Sequence, residues 1–338
     1  MELNSAIIFF IIATVTIGIA GTMLAREADR LADITGIGEA LFGALFLGGV
    51  TSLPGIITSV VSAYNNHPEL AISNAIGGIA AQTLFLSIAD LSYPRANLEH
   101  AAASFANLMQ GVLLIGLMAF ILLGMSGPET TVFTFHPASV LLIVIYLLGN
   151  KLISKAKDQP MWVPRMTRQT VKDVPDTKNL QSRYPRLVYI KFILLAAIVA
   201  VAGYTVARSG MVIADKTVLS EGVVGMLFTA VATSLPELVV SIAAVRQKAL
   251  TLAVSNIIGG NSFDILFVAF ADFAYNKGSI LHAITNSQVF FITLTMLMTS
   301  ILILGLLHRE KRGVGKIGWE SLLIIIVYIG GNAWLMLG

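Results

Sequence analysis

Long apolar segments follow one another along almost the whole chain, separated by short polar stretches. An apolar segment of roughly 20 residues is long enough to cross a bilayer as a helix. The pattern predicts ten such helices, at residues 5–25, 37–63, 69–92, 100–124, 134–153, 187–209, 217–245, 249–273, 280–307 and 316–337. We therefore expect an all-α polytopic membrane protein, in which a polar stretch at 154–186 divides the helices five and five.

The two groups of five helices are related by an internal repeat. The motif Thr-Ser-Leu-Pro occurs at 51–54 and at 233–236, an offset of 233 − 51 = 182 residues. At this offset, residues 46–90 and 228–272 align without a gap and are identical at 17 of 45 positions. Self-similarity of this kind indicates a duplication. Because each half has an odd number of helices, the second half enters the membrane from the opposite side. We predict two inverted repeats, 1–153 and 187–338, joined by the linker 154–186.

Composition and charge fit this picture and suggest an orientation. The chain is 56% hydrophobic and 12% charged, as in a membrane protein. With the linker on the cytoplasmic side, 19 of the 22 Lys and Arg residues lie on that side, as the positive-inside rule requires. This predicts a multi-pass protein of the cytoplasmic membrane with both termini outside. The net charge of +3 lies mostly in loops and favours no nucleic-acid partner, and the absence of cysteine excludes thiolate sites.

Polar residues interrupt the predicted helices at equivalent points of the two halves. Pro54 and Pro236 lack an N–H and clash with the preceding turn, so each helix must break or kink there. Backbone groups freed at membrane depth are tolerated only where protein or a water-filled cavity satisfies them. Gly77-Gly78 and Gly259-Gly260-Asn261 predict a second pair of interruptions, because consecutive glycines weaken a helix and let backbones approach. Paired interruptions in inverted repeats are typical of a secondary transporter, with the substrate site between the repeats.

Two carboxylates, Glu237 and Asp264, lie deep within the predicted helices. A charge at the bilayer centre costs at least about 2.5–3.5 kcal/mol, so such residues usually have a partner or a function. Carboxylates, hydroxyls and freed carbonyls are hard oxygen ligands that suit a hard cation. The hydroxyls could instead cap the broken helices, and the amide could instead join two helices. The candidate cation ligands are Glu237, Asp264, Thr233, Ser234, Thr51, Ser52 and Gln82. We predict no catalytic residue and no cofactor.

At these residues the sequence resembles the cation/calcium exchanger superfamily, which includes the sodium/calcium exchangers. Each of that family's two α-repeats has a G-T-S-L-P-E-like break followed by G-S-N-x-F-N/D, and the second half here has ATSLPELVVS followed by SNIIGGNSFD. The resemblance covers nearly the whole chain. It implies an antiporter in the lipid bilayer that exchanges Ca²⁺ for Na⁺ or H⁺ by alternating access, with inorganic cations as partners. It also implies Glu237 and Asp264 as ion ligands, with oxygens from Thr233 and Ser234. The first helix of each half would slide over the core, for which Gly18, Gly21 and Gly203 suit close packing.

The first half departs from the family pattern. Gly55 stands where the family usually has glutamate, Gly78 where it has serine, and Gln82 stands opposite Asp264 at the repeat offset. The site then holds at most two negative charges, which one divalent or two monovalent ions balance. We expect altered stoichiometry with nearly electroneutral exchange, since each uncompensated charge would couple at about 2.3 kcal/mol per 100 mV. We also expect water to fill the space beside Gly55.

Four other functions are compatible with parts of the sequence. The same fold could exchange another cation, in Na⁺/H⁺ or Mg²⁺ antiport, or it could bind ions without transport. An intramembrane aspartyl protease would explain two membrane carboxylates, but its G-x-G-D element is absent. A channel would need subunits arranged around a pore axis, whereas an inverted duplication with one asymmetric site favours alternating access.

Overall fold

The computed structural model describes residues 1–35, 46, 48–91, 93, 96–102, 104–158, 160–165, 167, 170, 185–311, 313 and 318–337. Within these ranges the regular elements are helices, apart from an isolated bridge between Val132 and Phe135. The predicted all-α fold is confirmed. Most of the predicted linker 154–186 lies outside the described residues.

The first half begins with one long apolar helix, in which a π-helical turn at Ile17–Gly21 joins α1 to α2. This span covers Leu3–Ala32 and is longer than the predicted 5–25. The helices of this half are α1 (Leu3–Thr16), α2 (Thr22–Thr35), α3 (Leu53–Tyr64), α4 (Pro68–Asp90), α5 (Leu98–Ala101), α6 (Phe105–Ser126) and α7 (Pro137–Asp158).

The second half also begins with one long helix, and a π-helical segment at Val224–Thr229 joins α9 to α10. A 3-10 turn at Ile280–His282 precedes α14. The helices of this half are α8 (Pro185–Lys216), α9 (Glu221–Val223), α10 (Ala230–Thr233), α11 (Leu235–Arg246), α12 (Leu250–Asp264), α13 (Leu266–Ala274), α14 (Asn286–His308) and α15 (Trp319–Leu337).

The number of membrane spans agrees with the prediction as far as the chain is described. Eight spans in the described ranges are long and apolar enough to cross a membrane, and α9 to α11 form a ninth that bends by 47° at its break. The tenth was predicted at 37–63. Its second part is α3, and residues 36–45, with which it would begin, lie outside the described ranges.

Local sequence explains where several helices begin. Ser104 accepts a hydrogen bond from the backbone N–H of Asn107 at the start of α6, and Ser220 does the same for Val223 at the start of α9. Thr285 forms a capping box with the side chain of Gln288 at the start of α14. Such caps satisfy amide groups that have no partner within the first turn.

The helices with the repeated motifs lie at the centre of the molecule. In an apolar 18-residue stretch of α4, 89% of the residues are buried, whereas only 22% are buried in the corresponding stretch of α8. The central helix α4 packs against α3, α11, α12, α14 and α15. This arrangement places the polar interruptions inside the bundle, where the surrounding helices shield them.

The paired glycines do not interrupt their helices, so the predicted interruptions were wrong, whereas the predicted close approach of backbones is confirmed. Gly77 and Gly78 lie within the continuous helix α4, and Gly259 and Gly260 lie within α12. Their role is close packing: a Cβ added to Gly77 would lie 2.7 Å from Cα of Met226. The glycines therefore allow the halves to approach closely, which larger side chains would prevent.

Asp90 and Asp272 stabilise equivalent loops in the two halves. Both are fully buried, and each accepts hydrogen bonds from two backbone amides and one serine. Every donor in one half has its counterpart 182 residues away in the other. In equivalent order, the donors are Leu98 N, Gly318 N and Ser321 Oγ for Asp90, and Ile280 N, His136 N and Ser139 Oγ for Asp272.

The long first helix of each half contacts the proline break of the other half through a glycine. A Cβ added to Gly21 would lie 2.5 Å from Cγ of Pro236, and one added to Gly203 would lie 2.9 Å from the carbonyl oxygen of Pro54. These two contacts are equivalent under the repeat. They hold the outer helices against the points where the central helices break.

Candidate functional site

Two helices begin at the centre of the molecule, one in each half. Ser52 occupies the N-cap position of α3 and Ser234 that of α11, and each is followed by proline in the first turn. Proline is tolerated in the first turn because the N–H that it lacks would have no partner within the helix. The predicted breaks at the two TSLP motifs are therefore present, and both serines are buried.

Asp264 connects the two halves at these breaks. It is the last residue of α12 and is 2% exposed. Ser52 Oγ donates a hydrogen bond of 2.5 Å to Oδ1 of Asp264, and Gln82 Nε2 donates one of 2.6 Å to Oδ2. Both donors belong to the first half. The carboxylate is therefore fixed by the repeat that does not contribute an acid of its own.

Glu237 lies in the first turn of α11, near enough to Asp264 for the two negative charges to repel each other. Its Oε2 is buried and has no hydrogen-bond partner among the described residues, and the same holds for Oε1 of Gln82. Neither Glu237 nor Asp264 forms an ion pair with a described basic residue. Buried oxygens without donors are costly unless a cation or water satisfies them. The arrangement thus offers a cation several oxygen ligands, including those of two carboxyl groups.

The structure connects some of the predicted ligands and separates others. Ser234 Oγ lies 3.4 Å from Gln82 Nε2, which links it to Asp264. The hydroxyls of Thr51 and Thr233 donate instead to carbonyl oxygens of their own helices, those of Gly48 and Ala230, each at 3.2 Å. Ser52, Gln82, Ser234 and Asp264 therefore form one hydrogen-bonded group beside Glu237, while each threonine hydroxyl bonds a carbonyl oxygen in the turn before its break.

The space beside Gly55 is filled by an aromatic ring, which contradicts the expectation of water there. A Cβ added to Gly55 would lie 2.7 Å from Cε2 of Phe267. Phe267 is 3% exposed and belongs to α13, directly after the end of α12. The first half thus lacks the family's glutamate at a point where the second half places a phenylalanine.

The surroundings of the site differ between the two halves. Asn74 is 1% exposed and donates to Ser59 Oγ at 2.9 Å and to the carbonyl oxygen of Gly55 at 3.2 Å. Its counterpart Asn256 is exposed, and Oγ of Ser241, the counterpart of Ser59, has no partner among the described residues. The hairpin of α3 and α4 is therefore closed by polar contacts that have no counterpart among those described for the hairpin of α11 and α12.

Two residues near the site were not among the ligands predicted from the sequence. Phe267 was overlooked, although the phenylalanine at the equivalent position 85 was a usable signal. Asn261 follows the glycine pair 259–260 in α12. Its amide nitrogen donates to Thr83 Oγ1 at 3.1 Å, while its buried oxygen has no described partner.

Comparison with protein families agrees with the repeat structure. The family model described as "Sodium/calcium exchanger protein" matches residues 5–149 and 187–337, which is nearly the whole chain in two segments. The chain is 27% identical over 319 residues to "Inner membrane protein YrbG" of Escherichia coli (strain K12), covering 90% of this chain and 93% of the relative. The family expected from the TSLP motifs is confirmed.

Solved structures of similar fold include exchangers that use different ions. A crystal structure of the H⁺/Ca²⁺ exchanger CAX matches with a TM-score of 0.68 at 14% identity, covering 98% of this chain and 86% of the other. The sodium-calcium exchanger NCX_Mj, soaked with Na⁺ and Sr²⁺, matches with a TM-score of 0.59 at 19% identity, covering 98% and 99%. At these identities the likeness establishes the fold of two repeats and leaves the ions open.

Proposed function

This chain belongs to the sodium/calcium exchanger protein family, and we propose that it is an antiporter that exchanges Ca²⁺ for Na⁺ or H⁺ by alternating access. The observation that carries the proposal is the position of Asp264. Its carboxylate is held by Ser52 and Gln82 of the other half, beside Glu237, whose Oε2 has no described hydrogen-bond partner.

Glu237 and Asp264 provide the charge of the proposed site, and Ser52, Ser234 and Gln82 provide neutral oxygens. Calcium takes six to eight oxygen ligands in irregular geometry, so backbone carbonyls at the breaks and water would complete the shell. Thr51 and Thr233 would contribute indirectly, by fixing the backbone of the two breaks. A cation would remove the repulsion between the two carboxylates and satisfy the oxygens that lack donors.

The difference between Asn74 and Asn256 supports access from one side. Asn74 is buried and hydrogen-bonded within the α3–α4 hairpin, whereas Asn256, midway in sequence between Asp264 and the α11–α12 turn, is exposed. We propose that this turn and the linker 154–186 face the cytoplasm, with both termini outside. The repeats 1–153 and 187–338 would exchange these open and closed arrangements during transport.

Two carboxylates favour an exchange of one Ca²⁺ for two monovalent cations. The ring of Phe267 beside Gly55 leaves no room for a third acidic side chain without rearrangement. The H⁺/Ca²⁺ exchanger and the sodium-calcium exchanger that share the fold make H⁺ and Na⁺ the two counter-ions to test. Uptake that rises steeply with an imposed membrane potential would contradict electroneutral exchange.

The test is uptake of radiolabelled Ca²⁺ into proteoliposomes loaded with Na⁺ or prepared with a proton gradient. We expect uptake under one gradient, and its loss in Glu237→Gln and in Asp264→Asn. Glu129→Gln makes the same chemical change at an exposed loop residue and should leave uptake unchanged. Equal activity of all four proteins, or no uptake by wild type under either gradient, would overturn the proposal.

A further inference from the structure

A second group of ionisable side chains lies away from the central site. His67, Asp215 and Glu221 each present one ligand atom, and these three atoms lie within 4.8 Å of one another. His67 Nδ1 and Glu221 Oε1 are 2.7 Å apart. His67 and Glu221 are partly buried and Asp215 is exposed, so the group can be reached by an ion from solution.

The three residues come from three separate segments of both halves. His67 precedes α4 in the short turn after α3, Asp215 lies in the last turn of α8, and Glu221 begins α9. Since α8 starts directly after the linker and crosses the molecule once, the group lies at the end of the helices opposite the linker. Glu221 Oε2 also accepts a long hydrogen bond of 3.4 Å from the backbone of Leu70, which helps to fix its orientation.

From this geometry we propose that His67, Asp215 and Glu221 form a binding site for a divalent transition-metal ion of the Zn²⁺ class. One imidazole nitrogen and two carboxylate oxygens are ordinary zinc ligands, and water fills the fourth position in sites with three protein ligands. The imidazole separates this site from the all-oxygen central site, because nitrogen ligands suit zinc and its neighbours better than calcium.

Neighbouring charges determine how protons compete with the metal. The hydrogen bond with Glu221 raises the pKa of His67, although burial opposes it; Asp215 raises it further and Arg208 lowers it. Glu69 lies near enough to Glu221 for the two carboxylates to repel each other. Binding of a metal requires the neutral imidazole, because a protonated ring nitrogen has no lone pair to donate.

The internal repeat provides a comparison within the same chain. Counterparts of Asp215 and Glu221 occur at Asp33 and Glu39, but the position equivalent to His67 is Ala249. Glu39 lies outside the described residues. The histidine is therefore a feature of one face of the molecule only, and a single zinc ion per chain is expected there.

The experiment is titration of the purified full-length protein with Zn²⁺ by calorimetry at pH 7.5, in the Glu237→Gln background to disable the central site. We expect about one ion per chain. His67→Ala and Asp215→Asn should each weaken binding by about tenfold or more, which corresponds to about 1.4 kcal/mol. Asp215 is exposed, so its variant tests the site even if the change at His67 impairs folding.

His282→Ala is the matched control. His282 lies in another loop, where its ring nitrogens already contact Ser279 Oγ and the carbonyl oxygen of Gly127. This variant must bind Zn²⁺ as the parent does. Absence of stoichiometric binding, or binding that survives both His67→Ala and Asp215→Asn, would overturn the proposal, and neither result bears on Ca²⁺ uptake by the wild-type protein.

Discussion

Ser52 of the first repeat donates its hydroxyl hydrogen to Asp264 of the second, over 2.5 Å in a fully buried setting. The two residues are 212 positions apart in sequence. Ser52 is also the N-cap residue of α3, so its orientation depends on the proline break that follows it. The contact joins the break in one half to the carboxylate of the other, and any movement between the halves must change it.

Replacing this hydroxyl should weaken Ca²⁺ binding more than replacing its repeat counterpart. Hydrogen bonds to charged groups contribute about 1.5–3 kcal/mol, so we expect Ser52→Ala to raise the KM for Ca²⁺ by about tenfold or more. Ser234 Oγ has a contact of 3.4 Å to a neutral amide, and Ser234→Ala should have a smaller effect. Uptake measured over a range of Ca²⁺ concentrations checks this, and a larger effect of Ser234→Ala would contradict the assigned geometry.

Side chains added at the two glycine–proline contacts should destabilise the protein. An added methyl at Gly21 would lie 2.5 Å from the Pro236 ring, and one at Gly203 would lie 2.9 Å from a backbone oxygen. Neither neighbour is a flexible side chain, and overpacking typically costs about 1–3 kcal/mol. We expect Gly21→Ala and Gly203→Ala to lower the Tm in detergent.

The control for these variants is Gly330→Ala, because an added methyl there has no neighbour within 4 Å. Gly330 also lies in a helix, α15, so the change in helix propensity is the same. If all three variants unfold at the wild-type temperature, the outer helices do not pack on the breaks as described.

Much of the architecture was predictable because it follows from repeated local chemistry. Apolar segment length predicted nine spans that the described residues contain, and Pro54 and Pro236 predicted the breaks, since proline acts on its own helix. The interruption predicted at the glycines was wrong for a physical reason. Glycine weakens a helix only slightly, so whether Gly77 marks an interruption or a contact depends on its neighbour Met226, which sequence alone does not identify.

For the site itself, the types of residue were predictable from the sequence, but their arrangement was not. Glu237 and Asp264 stood out because buried charge is costly. Thr51 bonds a carbonyl oxygen of its own helix, whereas Ser52 bonds the other half. This difference depends on the directions in which the two adjacent hydroxyls point. That direction results from tertiary packing and has no signature in the TSLP motif.

The serines that bind Asp90 and Asp272 should contribute unequally to stability. Ser139 Oγ lies 2.6 Å from Asp272, whereas Ser321 Oγ lies 3.2 Å from Asp90. A short hydrogen bond to a carboxylate is stronger, so Ser139→Ala should lower the Tm more than Ser321→Ala. Thermal unfolding of both variants tests this, and the reverse order would be inconsistent with the geometry.

The pair of His67 and Glu221 should make stability depend on pH. The hydrogen bond with Glu221 raises the pKa of His67 above its ordinary value of 6.5. A raised pKa in the folded state stabilises the protein fully below about pH 6.5, and this contribution is lost as the pH rises through the folded-state pKa. The Tm difference between wild type and His67→Gln should therefore shrink from pH 5.5 to 8.5, measured with chelator present. A difference that grows with pH would refute the ion pair.

The contact between Gly55 and Phe267 gives a test of how the site limits its charge. Gly55→Glu alone should fold poorly, because its Cβ would lie 2.7 Å from a ring that is 3% exposed. Phe267→Ala alone should lower the free energy of unfolding by about 3–5 kcal/mol, as is usual when a core phenylalanine is replaced by alanine. In the double variant the new side chain occupies the space that the ring leaves, so the two losses should not add. A third carboxylate at this point should also favour an additional monovalent ion, and exchange should then respond to membrane potential more strongly than in wild type. Additive losses of stability, or a double variant that transports with no change in voltage dependence, would mean that Phe267 does not determine the charge of the site.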